Sequence, residues 1–195
     1  YSNGGNVTIE ISYTDAYNTT VTTSFEVKVE KIKTTIAFDD IYYLTYTGLS
    51  LNDEIIEELT AQFSNDNYEY VIEDPIINAG VYNVTVKAIS KRVNYADTEG
   101  TAKVTVKGKE ITIKPGSLTI NIGEQLPDPS ELAFSTTSEL GVGDTLDSIT
   151  LTADYEVKTI TASNPVIKSG NEIVTSNYTL TYNTGNITIK SKPLT

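Results

Sequence analysis

Apolar and polar side chains alternate with a period of two along most of this chain, the pattern of strands with one buried face. It is clearest in "SNYTLTYNTGNITIK", Ser176 to Lys190. Tyr178, Leu180 and Tyr182 fall on one face there and Thr179 and Thr181 on the other, and Ile187 and Ile189 flank Thr188 beyond an Asn-Thr-Gly-Asn corner. The segment reads as a half-buried β-hairpin with Tyr178, Leu180 and Tyr182 facing the core.

Residues 1–30 hold two alternating stretches, "GNVTIEISYT" and "TTVTTSFEVKVE", joined around Asp15 to Thr19. One hairpin buries too little to stand alone, so this part reads as the last hairpin of a preceding β domain or as a strand segment that pairs with its neighbour. Residues 31–108 show strand patterns at "TTIAFDDIYYLTYTG", "NYEYVIEDP", "GVYNVTVKAI" and "GTAKVTV". Between them "LNDEIIEELTAQF" puts Ile55, Ile56, Leu59 and Phe63 on one helical face. Asn52 is placed to cap it, and Asp53 and Glu54 suit the positive end of the helix dipole. Residues 109–191 show strands at "EITIKPG", "SLTINIG", "ELAFSTT" and "SITLTADYEV" before the closing hairpin, and "KTITASNPVIKSGNEIVTSN" reads as an insertion-like stretch.

Three segments end alike: "FEVKVEKIKTTI", "AKVTVKGKEITI" and "GNITIKSKPLT". Val29, Val106 and Ile189 align at spacings of 77 and 83 residues, which predicts a string of small complete domains. The expected fold class is mainly β: tandem small domains, Ig-like β-sandwich or β-grasp-like, with one short helix in the first full domain. The boundaries are 1–30, 31–108 and 109–191, with 192–195 starting a linker, and the joints are Lys31 to Lys33, Gly108 to Lys109 and Ser191 to Pro193.

Thirty Thr and 13 Tyr among 195 residues fit β structure. The chain has neither Cys nor His. Disulfides, thiolate nucleophiles, cysteine-ligated zinc and histidine-based triads are therefore excluded within it. A net charge of −12 repels phosphate backbones and anionic headgroups, so neither nucleic acid nor membrane insertion is expected. Tyr1 opens inside a strand-like pattern and not in a signal-peptide pattern, so the chain reads as a piece of a longer one. Acidic, cysteine-free, Thr-rich β sequence fits an extracellular setting, at the cell surface of a Gram-positive bacterium or secreted.

At "PIINAGVYNVTV", Pro75 to Val86, followed by "NYADTEGTAKVTV", residues 31–108 resemble the MBG-type repeats of bacterial cell-surface proteins. At "ELAFSTTSELGVGDTLDSITLTADY", closed by "SNYTLTYNTGNITI", residues 109–191 resemble the related repeat that shares a Gly-Asp-Thr-Leu step and a terminal Asn-Tyr-Thr hairpin. The resemblance implies small, mainly β domains of a stalk or adhesion region and does not bear on catalysis. The expectation is a non-catalytic structural spacer that needs no cofactor or metal and has neighbouring repeats of the same chain as partners; the alternatives are an adhesion module that binds a glycan or a host or cell-wall protein, and an accessory region of a secreted carbohydrate-active enzyme. In both motifs Gly80, Gly143 and Gly185 read as turn residues. Tyr82 and Tyr178 read as core rings whose hydroxyls reach a loop carbonyl.

Other groupings carry less. Asp53, Glu54, Glu57 and Glu58 form the densest acidic group, and read as a solvated helix face. Asp39, Asp40, Asn65, Asp66, Asn67, Glu69, Asp144 and Asp147 are oxygen donors of the type calcium takes, but none has EF-hand spacing, and such residues favour turns. Asn-x-Thr acceptor patterns occur at Asn6, Asn18, Asn83, Asn177 and Asn186. A Lys–Asn isopeptide bond would draw on Lys33 or Lys109 and on Asn186. Tyr42, Tyr43, Tyr46, Tyr68 and Tyr70 are a candidate sugar-stacking set, although alternation turns at least half of them inward.

Overall fold

The computed structural model describes residues 4–62 and 66–191. The protein is mainly β, with several sheets and one α-helix among the described residues. Phe63, Asn65 and the linker at 192–195 lie outside them. The chain forms two compact units, both discontinuous. One comprises Tyr1–Ile41, Asn52–Asp74 and Asn83–Lys103; the other comprises Tyr42–Leu51, Pro75–Tyr82 and Val104–Thr195.

The first unit contains the hairpin β1 (Gly5–Thr14) and β2 (Thr20–Val29), the helix α1 (Asn52–Gln62) and β4 (Tyr68–Val71). It also holds most of β5 (Gly80–Ser90) and part of β6 (Thr98–Lys107). β3 (Ile41–Thr45), β5 and β6 run from one unit into the other, and their sheet has the order β3-β6-β5-β4. The extended pattern from Thr34 shrinks to these five residues of β3; before it, Ile32 makes only an isolated parallel bridge to Tyr95. The unit's core brings Ile36, Tyr68 and Ala88 together, with Phe38, Tyr70 and Tyr95 packed around them. On α1, Ile55 and Leu59, one turn apart, are fully buried.

Asn52 is the first residue of the helix, and its side-chain amide donates to the carbonyls of Ile72 (3.2 Å) and Asp74 (3.1 Å), tying the helix start to the chain that follows β4. Asn52→Ala is expected to lower the unfolding free energy by about 1–2 kcal/mol, because carbonyls at the rim lose partners that water replaces only in part. Urea denaturation checks this, and a cost below about 0.3 kcal/mol would contradict it.

In the second unit, β7 (Lys109–Pro115), β9 (Phe134–Thr136) and β13 (Tyr178–Tyr182) form one sheet in the order β13-β7-β9. A second sheet has the order β10-β11-β14-β8, with β12 paired to β11. Its strands are β8 (Leu118–Asn121), β10 (Asp144–Asp154), β11 (Thr159–Ser169), β12 (Glu172–Ile173) and β14 (Gly185–Lys190). Ile111 and Ile113 from the first sheet, and Leu151, Ile160, Ile167 and Ile187 from the second, supply its buried apolar side chains, a β-sandwich-like arrangement.

The expected hairpin at Ser176 to Lys190 does not form. β13 pairs in parallel with β7, Tyr178 opposite Lys109 and Tyr182 opposite Ile113, whereas β14 pairs in parallel with β8 and antiparallel with β11. Only Asn183 and Thr184 separate β13 from β14, yet the two strands belong to different sheets. β7 and β8, separated by Gly116 and Ser117, make the same step. Two neighbouring strands thus cross between the sheets side by side. Lys109, expected in a joint, is the first residue of β7, which leaves Gly108 alone between β6 and β7. The core alternation also fades along β13, from buried Tyr178 through half-buried Leu180 to Tyr182 at 45% exposure.

The stretch taken for an insertion contains β11, which pairs with β10 over most of its length. Asn164 and Pro165 hide it. The register jumps from Ser148 opposite Val166 to Thr150 opposite Ser163, so both residues bulge out of the ladder, Asn164 at φ 48 and Pro165 without an N–H to donate.

Candidate functional site

The polar constellation with most chemical character lies in the second unit. Tyr46 follows the end of β3, Asp144 opens β10 and Tyr178 opens β13. The Tyr46 hydroxyl donates to Asp144 Oδ2 at 2.8 Å and the Tyr178 hydroxyl donates to the same oxygen at 2.5 Å. The Tyr178 oxygen in turn accepts from the Gly141 N–H at 2.7 Å. The two rings meet edge to face, centroids 5.4 Å apart at 76°.

The turn before β10 makes this convergence possible. Gly143 sits at φ 82, Asp144 N–H donates to the Gly141 carbonyl at 3.0 Å, and Val142 N–H donates to the Thr47 carbonyl at 2.7 Å. A side chain at Gly141 would have its Cβ 2.8 Å from Asp144 Oδ2 and 3.0 Å from the Tyr46 ring, so only glycine admits the cluster. Nearby, Asn177 is buried and uses both ends of its amide: it accepts from Ala79 N–H at 2.9 Å and donates to Asn78 Oδ1 at 2.8 Å.

Burial, and next the bond to Asp144, push the Tyr46 hydroxyl up from its ordinary pKa of 10.0 to about 12. The same two causes, in the same order, raise Tyr178 further. Both phenols therefore keep their protons at neutral pH and act as donors. Asp144 Oδ1 is buried without a hydrogen-bond partner. The arrangement is a clamp in which one carboxylate oxygen gathers two strand ends; neither phenol is poised to give up a proton.

A scan of protein-family models finds no match to this chain. A search of curated proteins likewise returns no match.

The residues singled out in the sequence are mostly scattered. Asp53, Glu54 and Glu57 are exposed along α1 and Glu58 is half-buried. Asp39 N–H donates to Gln62 Oε1 at 2.7 Å, Asp40 Oδ1 accepts from Lys103 N–H at 3.0 Å, and Asp147 pairs with Lys168 at 2.9 Å. Among the described residues no three acidic side chains are arranged to hold a metal ion. Of the Asn-x-Thr positions, Asn6, Asn83 and Asn186 are exposed within strands, Asn18 turns at φ 66, and Asn177 is buried. The Lys109 ammonium donates to the Leu140 carbonyl at 3.1 Å, in a different sheet from Asn186, and Lys33 is exposed in the first unit. Tyr46 and Tyr68 are each 2% exposed and structural. The Tyr68 hydroxyl donates to Thr34 at 3.0 Å and its ring packs on Tyr70 and Tyr95. Tyr42 and Tyr43 are exposed on β3.

Tyr82 does reach a loop carbonyl, that of Asn78 at 2.8 Å, whereas Tyr178 reaches a carboxylate. Sequence reasoning named Asp144 and Tyr178 in separate motifs and missed that they meet. The available signal was that both fall within residues 109–191, read from the sequence as one domain.

Proposed function

We propose that this chain is part of the non-catalytic spacer region of an exported bacterial surface protein, built from tandem MBG-type repeats. The observation that carries the reading is internal repetition. β1–β2 and β5–β6 are adjacent strand pairs with the same alternation, and both members of one pair align with the other at an offset of 77 residues: Asn6-Val7-Thr8-Ile9 shares its first three residues with Asn83-Val84-Thr85-Val86, and Val27 and Val29 recur as Val104 and Val106. Recurrence of one folding element along a chain fits an array whose repeated parts set distance. The most chemically distinctive residues, Tyr46, Asp144, Asn177 and Tyr178, are bonded to one another and to backbone, which suits a load-carrying role.

One observation favours a second reading, adhesion to a glycan or protein: Tyr42 and Tyr43 are exposed on β3, an edge strand of its sheet. A glycan array and a cell-wall pull-down with this chain separate the two. The spacer reading expects retention no greater than that of a Tyr42→Ser/Tyr43→Ser control. Saturable binding lost in that control would replace it with the adhesion reading.

A further inference from the structure

The hairpin β1–β2 presents one uncharged face, Val7, Ile9, Ile11, Tyr13, Val21, Phe25 and Val27, opposite a face of Thr, Ser, Glu and Lys. The apolar face is largely open: Ile11 is 54% exposed, Phe25 47% and Tyr13 69%. At the 77-residue offset the equivalents of Val7, Ile9, Ile11, Phe25 and Val27 are Val84, Val86, Ala88, Ala102 and Val104, and each of these is at most 5% exposed. In their sheet β3 flanks β6 and β4 flanks β5, with α1 between β3 and β4 in sequence. The same face is thus covered once and bare once in a single molecule, and most of the residues that pack around Ala88 on the covered one, Ile36, Phe38, Tyr68 and Tyr70, belong to residues 36–71. A bare face of this extent on a two-stranded ribbon marks an interaction surface.

We propose that β1–β2 is the docking surface for a segment of the kind formed by residues 36–71, an extended stretch followed by strand, helix and strand, carried by the same polypeptide, and that this segment has smaller side chains where this chain has Phe38 and Tyr68. The volume argument is local. Ile11 stands where Ala88 packs against Tyr68 and Ile36, and Phe25 stands where Ala102 is buried. Thr23 stands where Gly100 is buried, and a Cβ at Gly100 would come within 2.8 Å of the Phe38 ring. Three larger side chains on the ribbon require a partner that is correspondingly hollow. The proposal rests on the repeat reading of the chain but not on whether the array binds a ligand.

The test replaces residues 83–107 by residues 6–30, a segment of equal length, and follows amide hydrogen exchange of α1 at Ile55 and Leu59, with and without the pair Phe38→Ala and Tyr68→Ala. In the unaltered chain the pair opens a cavity and speeds exchange at least tenfold. In the chimera it makes room for Ile11, Thr23 and Phe25 and slows exchange at least tenfold. Acceleration or no change in the chimera overturns the proposal. The unaltered chain is expected to sediment as a monomer. A concentration-dependent dimer abolished by Phe25→Asp would make a second copy the occupant and equally overturn it. Neither result depends on the glycan array, so the spacer reading stands or falls separately.

Discussion

Asp144→Ala is expected to lower the unfolding free energy by about 3–5 kcal/mol. Two hydroxyls converge on one oxygen of this side chain. A hydrogen bond to a charged group contributes about 1.5–3 kcal/mol, and its loss here leaves two buried phenols without their acceptor. Asp144→Asn keeps an acceptor oxygen of the same shape and should cost about half as much. Urea denaturation of the three proteins checks the order. A cost below about 1 kcal/mol for the alanine variant would show that the clamp carries little of the stability.

The same cluster predicts an alkaline limit. Both tyrosines have folded-state pKa values above the ordinary 10.0, Tyr46 at about 12 and Tyr178 higher. The folded chain therefore holds these protons more tightly than the unfolded one. Their contribution is fully present below pH about 10 and is lost as pH rises through the folded values. Each tyrosine steepens the decline by up to about 1.4 kcal/mol per pH unit over that window. Tyr46→Phe should flatten the decline between pH 10 and 12, while a slope unchanged by that substitution would contradict the assignment.

What the sequence made legible was whatever depended on neighbours along the chain. Alternation located β1, β2 and β4 to β10, and the i, i+4 pair Ile55 and Leu59 located α1, because side-chain direction within one element is a local property. Strand pairing is not local. "YTLTYNTGNITI" has the composition of a hairpin, but its two halves find better partners in β7 and β8, with buried Ile111, Ile113 and Ile120 beside them. β11 was lost for a related reason. Asn164 and Pro165 are turn signals by local chemistry, and a long pairing with β10 absorbs them as a bulge. The clamp was half visible: Tyr178 was read as a core ring with a polar tip, but its partner lies 34 residues away in sequence.

Gly185 puts the two readings of that segment in direct opposition. In a hairpin it would be a turn residue at positive φ, where Asn is nearly as good as Gly and Ala is worse. In the structure it opens β14, is buried, and has no positive φ. Its task is close approach: a Cβ there would sit 2.2 Å from the Gly116 carbonyl oxygen and 3.1 Å from that of Pro115, where the two strands cross between the sheets. Backbone on both sides of the contact leaves no flexible side chain to yield, so relief requires moving one crossing strand away from the other. Gly185→Ala is therefore expected to cost about 3 kcal/mol or more, and Gly185→Asn at least as much, since any Cβ meets the same oxygen. Thermal melts of the two variants decide it. If Asn were tolerated within about 0.5 kcal/mol while Ala was not, the glycine would be serving a turn, and the parallel pairings β13–β7 and β14–β8 would have to be given up.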